Sequence, residues 1–322
     1  MNSSTRNIAF CVNDVYVPYI TVTIKSIAEN NRYGKVSIHI LTDSMTSKNR
    51  ERLKETVEGY DNMLLHVYEV DDTLLRDLYA GNFTIYTWYR ILIPMVLPTT
   101  IDRVLYLDAD TLVTADLGEL FMIDMNGKAI AASIDIQSWF GNPFLRCGYD
   151  SSKHYVCAGV LMMNIDYWRK YNLADKMIEW ARQQQNYIKN PDQDTINYIC
   201  QDVKIVLPLR YGFMHCFCEY DMFYKSPLRE QLEQCIDNPV IIHYCGCVPW
   251  GREYHKHVMH HEWEKYNRML RQPIKRTYQA KGWMKLKIIC WDLQHLYQGR
   301  RQLTIDEIKK RLQNSNTLCK NQ

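Results

Sequence analysis

Arg103-Val-Leu-Tyr-Leu-Asp-Ala-Asp-Thr-Leu-Val113 is an apolar run that ends in two carboxylates one residue apart, Asp108 and Asp110. The run has the length and composition of a buried strand, and the acids stand at its C-terminal edge. Open α/β sheets bind ligands at that edge. Two carboxylates so placed are costly unless a positive charge sits between them. A hard divalent cation carrying a phosphate would supply that charge.

The flanking sequence fits such a sheet. Residues 8–12 read as a buried strand, and residues 16–30 carry apolar side chains at helical spacing. Residues 36–41 give a second strand, 46–57 a helix opened by a Ser/Thr cap region, and 63–70 a third strand. This alternation predicts a parallel, Rossmann-like sheet. Residues 84–93 predict a short helix stopped by Pro94. Downstream, 129–134 and 156–163 read as strands, 175–184 and 194–200 as helices, and 240–243 as a short late strand. From about Pro273 the chain becomes basic and aromatic, then ends in a polar tail. The expected architecture is α/β, with a catalytic domain over 1–272 and a helical, basic amphipathic extension over 273–322.

A net charge of +3 over 322 residues is too mild to argue for nucleic acid. Residues 1–7 are polar and only 8–12 follow as an apolar run, so no secretory signal core is expected. No window approaches the roughly 20 apolar residues of a spanning helix. With no export signal, the eleven cysteines read as reduced thiols in a cytoplasm.

Asp-x-Asp occurs often by chance, and its place after a strand is what gives it weight. Two metal chemistries fit. In a glycosyltransferase the acids hold manganese or magnesium against a nucleotide diphosphate. In a dehalogenase-type phosphatase a strand is followed by Asp-x-Asp-x-Thr, and Asp108-Ala-Asp-Thr111 fits that pattern. The phosphatase pattern places its motif near the first strand and needs a later Gly-Asp acid pair. Here three strands precede the motif and no Gly-Asp pair follows it, which favours the transferase.

An ordered set of segments then resembles glycosyltransferase family 8, the group of bacterial lipopolysaccharide galactosyl- and glucosyltransferases and of glycogenin. The set comprises residues 8–14, Tyr89-Arg-Ile-Leu-Ile-Pro94, Leu105-Tyr-Leu-Asp-Ala-Asp110, Cys157-Ala-Gly-Val-Leu-Met-Met-Asn164, Pro191-Asp-Gln-Asp-Thr-Ile-Asn197 and His243-Tyr-Cys-Gly246 followed by Pro249-Trp250. The resemblance implies the nucleotide-diphospho-sugar transferase fold of GT-A type. It implies a metal held by Asp108, Asp110 and His243, and an imidazole ligand suits Mn2+ better than Mg2+. Arg90 and Asp192 would grip the donor sugar, and Gln193 would sit near the anomeric carbon; these three are the expected catalytic residues. Cys11, Val12, Asn13 and Asp14 would hold the nucleoside, although the family often has Asp where Asn13 stands. Ala109, Ala158, Gly159 and Gly246 are expected at the donor, with the Ala158-Gly159 step allowing close backbone approach. Asp135 is an expected sugar or acceptor contact.

The implied activity is retaining transfer of a hexose from UDP-galactose or UDP-glucose to a saccharide or lipid-linked glycan of the cell surface. Front-face attack is favoured, because Gln193 is a poor nucleophile. One departure stands out: relatives often carry Lys just before Pro-Trp, and Gly246-Cys-Val-Pro-Trp250 lacks it. Either Arg252 or Lys256 compensates, the metal alone holds the diphosphate, or the chain is a non-catalytic nucleotide-sugar-binding protein.

His215-Cys-Phe-Cys218 and His243-Tyr-Cys-Gly-Cys247 have poor zinc spacing and read as ordinary buried cysteines. His255, His257, His260 and His261 read as the surface of a helix. Trp283, Leu286, Ile289, Cys290, Leu293 and Tyr297 share one helical face flanked by Lys281, Lys285, Lys287, Arg300 and Arg301. That pattern suits peripheral contact with an anionic membrane on the inner face of the cell.

Overall fold

The computed structural model describes residues 5–81, 83–140, 143–148, 150, 152–251, 257–275 and 304–319, with side chains of the last segment to 313. Strands β1 (Arg6–Cys11), β2 (Val36–Thr42) and β3 (Met63–Glu69) alternate with helices α1 (Val17–Asn30) and α2 (Ser47–Val57). A 3-10 turn, Ile85–Trp88, leads into α3 (Tyr89–Val96), followed by β4 (Arg103–Leu107) and β5 (Thr111–Val113). Later strands are β6 (Ile130–Ser133), β7 (Val160–Asn164), β8 (Lys204–Leu207), β9 (Phe213–Met214) and β10 (Ile241–His243).

Seven strands form the main sheet in the order β3-β2-β1-β4-β7-β6-β8. Its inner strands are buried on both faces, and the pleat sorts alternate residues to opposite sides. Ile8, Phe10, Leu105 and Leu107 pack with α1 on one side; Ala9, Cys11, Val104 and Tyr106 pack with α3 on the other. The strand order reverses between β1 and β4, which pair in parallel, so their C-terminal ends open a crevice at the switch point.

The parallel arrangement expected from the sequence holds for β3, β2, β1 and β4. It stops at β7, which runs antiparallel to both β4 and β6. Antiparallel pairing of Leu107 with Val160 brings the segment entering β7 against the carboxylates leaving β4. The Asp108 amide donates to the Gly159 carbonyl at 2.8 Å. A second sheet, β5-β10-β9, pairs Thr111 with His243 and so carries His243 to Asp110 across 133 residues of chain.

Two local expectations change. Pro94 does not stop its helix; α3 runs on to Val96, and carbonyls at and beyond its end are taken by Arg169, which donates to Pro94, Leu97 and Ile101 at 2.7–2.9 Å. The helix expected from residue 194 starts earlier, at Pro191, where a proline at the first position costs no hydrogen bond. Asp192 and Gln193 therefore stand in its first turn.

Part of the polar tail read from the sequence is helical and packed. Helix Ile305–Cys319 returns to the body, burying Ile308 and Leu312 in a cluster with Phe223, Leu232 and Cys235. The amphipathic face read at residues 283–297 lies outside the described residues. Among the described residues no helix is long and apolar enough to cross a membrane.

Candidate functional site

The crevice is an open cleft of about 430 Å³. Cys11, Val12 and Asn13 line it from the end of β1, Asp108, Ala109 and Asp110 from the end of β4, and His243 and Gly246 from the end of β10. Gly159, Arg90, Asp135, Asp192 and Gln193 complete its floor.

At the base, one ligand atom each from Asp108, Asp110 and His243 lie within 4.8 Å of one another, and this is the one such cluster among the described residues. His243 Nε2 stands 3.4 Å from Asp110 Oδ1 and 3.8 Å from Asp108 Oδ2. Its Nδ1 meets Cys157 Sγ at 3.4 Å. An Nδ1–H donated to sulfur leaves the Nε2 lone pair facing the carboxylates, the tautomer a metal requires. Burial disfavours charge on both partners, yet Cys157 and Asp110 raise the His243 imidazole and His243 lowers the Asp110 carboxyl. A cleft that stabilises a proton among these groups also suits a dication in its place.

Gly159 supplies the room. A Cβ there would fall 2.3 Å from His243 Cε1 and 2.6 Å from Asp108 Oδ2. The glycine expected to let the sugar approach thus faces the ligand cluster. The donor set, two carboxylates and one imidazole around a space that only glycine leaves open, fits a divalent cation of the manganese type.

Arg90 is buried rather than lying on a helix surface. Its guanidinium bridges Asp108 Oδ1 at 2.9 Å and Asp192 Oδ2 at 3.0 Å, donates to the Ala158 carbonyl at 2.6 Å, and lies 4.3 Å from the Tyr106 ring centre. Thr87 donates its hydroxyl to the other Asp192 oxygen. Gln193 is held at both ends: Oε1 accepts from the Ala158 amide at 2.9 Å, and Nε2 donates to Asp135 Oδ2 at 3.3 Å. Asp135 also accepts from the Gln137 amide at 2.8 Å, and burial pushes its carboxyl above the usual range.

Two expected donor residues do not reach the cleft wall. Asp14 turns to α2, where its carboxylate accepts from the Thr46 amide at 2.8 Å. Ala158 contributes backbone only, its carbonyl to Arg90 and its amide to Gln193. Burial raises the Cys11 thiol strongly, so it is inert and can serve only through its backbone and shape. Arg252 and Lys256, the expected substitutes for the absent Lys, lie outside the described residues.

The sequence reading missed the aromatic wall. Tyr16 and Trp250 line the cleft, and Trp250 stacks on Tyr19 with centroids 4.1 Å apart. It also missed Thr87, legible only as the residue one helical step before Arg90, and Gln137, two after Asp135. His257, expected on a surface, is fully buried against Tyr244 and Phe213. Cys216 and Cys218 form no disulfide and join no cluster of three metal-ligating groups among the described residues.

Residues 7–253 match the family model described as Glycosyl transferase family 8. The chain is 27% identical over 272 residues to a lipopolysaccharide 1,2-glucosyltransferase of Escherichia coli, covering 81% of this chain and 75% of that protein. It is 26% identical over 252 residues to a lipopolysaccharide 1,3-galactosyltransferase of Salmonella typhimurium, covering 76% and 72%. Its fold superposes on that of the galactosyltransferase LgtC, solved with donor and acceptor sugar analogs, with a TM-score of 0.73 and 24% identity over 83% of this chain and 96% of that one.

Proposed function

The chain belongs to glycosyl transferase family 8, and from that premise we propose that it is a retaining, metal-dependent hexosyltransferase. Its donor is UDP-glucose or UDP-galactose and its acceptor a saccharide or lipid-linked glycan of the cell surface. The observation that carries this reading is the Asp108–Asp110–His243 cluster at the floor of a cleft that also holds the Arg90–Asp192 pair and Gln193. The similarity to lipopolysaccharide glucosyl- and galactosyltransferases supports the donor class.

Manganese held by the three ligands would take up negative charge on the diphosphate as the bond to the sugar breaks. Asp192 orients sugar hydroxyls, with Arg90 and Thr87 fixing its carboxylate. Those two contacts, together with the clamping of both ends of Gln193, occupy the groups a double displacement would need as a nucleophile. Front-face attack follows: the acceptor hydroxyl approaches on the side the diphosphate leaves, and the departing phosphate oxygen takes its proton. Cys11 to Asn13 present backbone groups to the base, beside Tyr16 and Trp250. The sequence of residues 281–301 supports peripheral docking on an anionic membrane.

Incubation with manganese and a panel of UDP-sugars tests the reading by release of UDP. Asp108→Asn and Asp110→Asn should each lower turnover by about 100-fold or more, as loss of a Lewis acid worth several kcal/mol requires. No release with any donor would overturn the enzyme reading. Unchanged manganese affinity in His243→Ala would remove that residue from the ligand set.

A further inference from the structure

We infer that the exposed rings of Phe140 and Tyr220, with Trp139 beside them, form a second sugar subsite that binds the acceptor glycan one step away from the reaction centre. This rests on the glycosyl-transfer reading and specifies where the acceptor lies.

The rings are joined to the cleft through one short helix. Gln137 lines the cleft and opens the short helix Gln137–Phe140, whose first amide is held by Asp135. Asp135 also holds Gln193, so one buried carboxylate ties this helix to the donor end. Three residues at about 1.5 Å rise put Phe140 roughly one helical turn from the cleft wall.

The rings are fixed in place. Phe140 and Tyr220 are 50% and 41% exposed, yet stack with centroids 4.6 Å apart and planes 28° apart. Trp139 meets fully buried Phe223 edge-on at 5.0 Å, and Tyr220 meets the same ring at 6.2 Å. Behind them Arg311 of the C-terminal helix pairs with Asp221 at 3.2 Å and lies 5.8 Å from the Tyr224 ring centre. A rigid, half-exposed aromatic face loses little entropy on binding.

Its surroundings select a sugar over a lipid. A pyranose offers an apolar C–H face to a ring and hydroxyls around its edge. Here Glu219 and Asp221, both exposed, flank Tyr220. Carboxylates and a phenol accept hydrogen bonds from hydroxyls, whereas the same carboxylates repel anionic headgroups. A membrane-docking face would show an excess of lysine or arginine, whereas Arg311 here is paired to Asp221 at 3.2 Å.

The test uses the full-length protein with manganese and UDP on a printed array of glycans of one to six sugars. Phe140→Ser and Tyr220→Ser should each weaken retention of glycans of two or more sugars by about 5- to 10-fold, with single sugars unaffected. Donor hydrolysis to water, measured in parallel without acceptor, should match the parent chain and so reports the transferase reading and the fold separately. An array pattern identical to the parent's, or no glycan retained by the parent, overturns the subsite even where hydrolysis proceeds. Loss of binding to vesicles of anionic phospholipid, without loss of glycan retention, would overturn it in favour of a lipid.

Discussion

At Gly159 one missing carbon decides whether the ligand cluster can assemble. Its backbone is not in the left-handed region, so the demand for glycine comes from space alone. Alanine would set its methyl against His243 Cε1 and Asp108 Oδ2, and neither can retreat: His243 is paired to Cys157, and Asp108 to Arg90. Gly159→Ala should weaken manganese binding by about 10- to 100-fold, the scale on which misoriented ligands act. Overpacking should cost about 1–3 kcal/mol in stability. Calorimetric manganese titration and urea unfolding of the same variant check both; full affinity would mean that the cluster is not the metal site. The sequence showed the Ala-Gly step but not what faces it, because the contact joins strands 51 and 84 positions away, at Asp108 and His243. Gly246 differs, since its positive φ of 78° does demand glycine.

Among elements, helix Pro191–Ile199 and strand β2 carry the clearest consequences. The carboxylate of Asp194 is wholly buried and accepts from Arg146 Nη2 at 2.8 Å, Tyr155 at 2.7 Å, and the amides of Lys189 and Asn190 at 2.8 and 3.0 Å. It fixes the turn that aims Asp192 and Gln193. Asp194→Ala leaves Arg146 buried without its partner and should cost about 3–5 kcal/mol, and turnover should fall with stability when thermal unfolding and UDP release are followed together. One strand in from the sheet edge, burial and the neighbouring His66 of β3 push the His39 imidazole of β2 down to about 4. The unfolded chain takes up that proton near pH 6.5 and the folded chain refuses it until about pH 4. The contribution of His39 is therefore complete above pH 6.5 and lost as pH falls to 4, by about 3 kcal/mol. His39→Gln keeps polar contact with Asn7 and Tyr68 and should flatten that part of the unfolding free energy between pH 7 and 4.5. Seven of the ten described strands, α1, α2, α3 and the helices Leu173–Gln184 and Pro191–Ile199 were legible from apolar periodicity, which reports burial; the short strands β5, β8 and β9 and the helix Arg229–Asp237 were not. The antiparallel entry of β7 was not, because a run buried on both faces reads alike in either direction. The start of the Pro191 helix was missed because its first turn is polar where it faces the cleft.

Across the whole molecule, the last described helix joins a core built mainly by the later part of the chain. Helix Ile305–Cys319 seats Ile308 and Leu312 against Phe223, Leu232 and Cys235, and Arg229 donates to the Leu312 carbonyl at 3.3 Å. Lys309 and Arg311 add ion pairs to Asp237 and Asp221 at 2.7 and 3.2 Å. The ion pairs are exposed and contribute little; burial of the two aliphatic side chains holds the helix down. Composition alone pointed to a polar tail here, because two apolar residues four apart among charged ones give only a narrow stripe. The residues they support, Phe223 and Tyr224, belong to the segment that carries Tyr220, the ring proposed to meet the acceptor. A loosened terminal helix should therefore be felt in two ways. Leu312→Ala should destabilise the protein by about 2–5 kcal/mol in urea unfolding. It should also raise the Michaelis constant for acceptor more than that for donor, because this helix packs directly on the segment that carries Tyr220. Lys309→Ala, removing charge without removing apolar area, should change neither quantity beyond about 0.5 kcal/mol. Equal effects of the two substitutions would mean that the helix is held by charge and not by its buried pair. An unchanged Leu312→Ala protein would make the C-terminal helix an appendage rather than part of the fold.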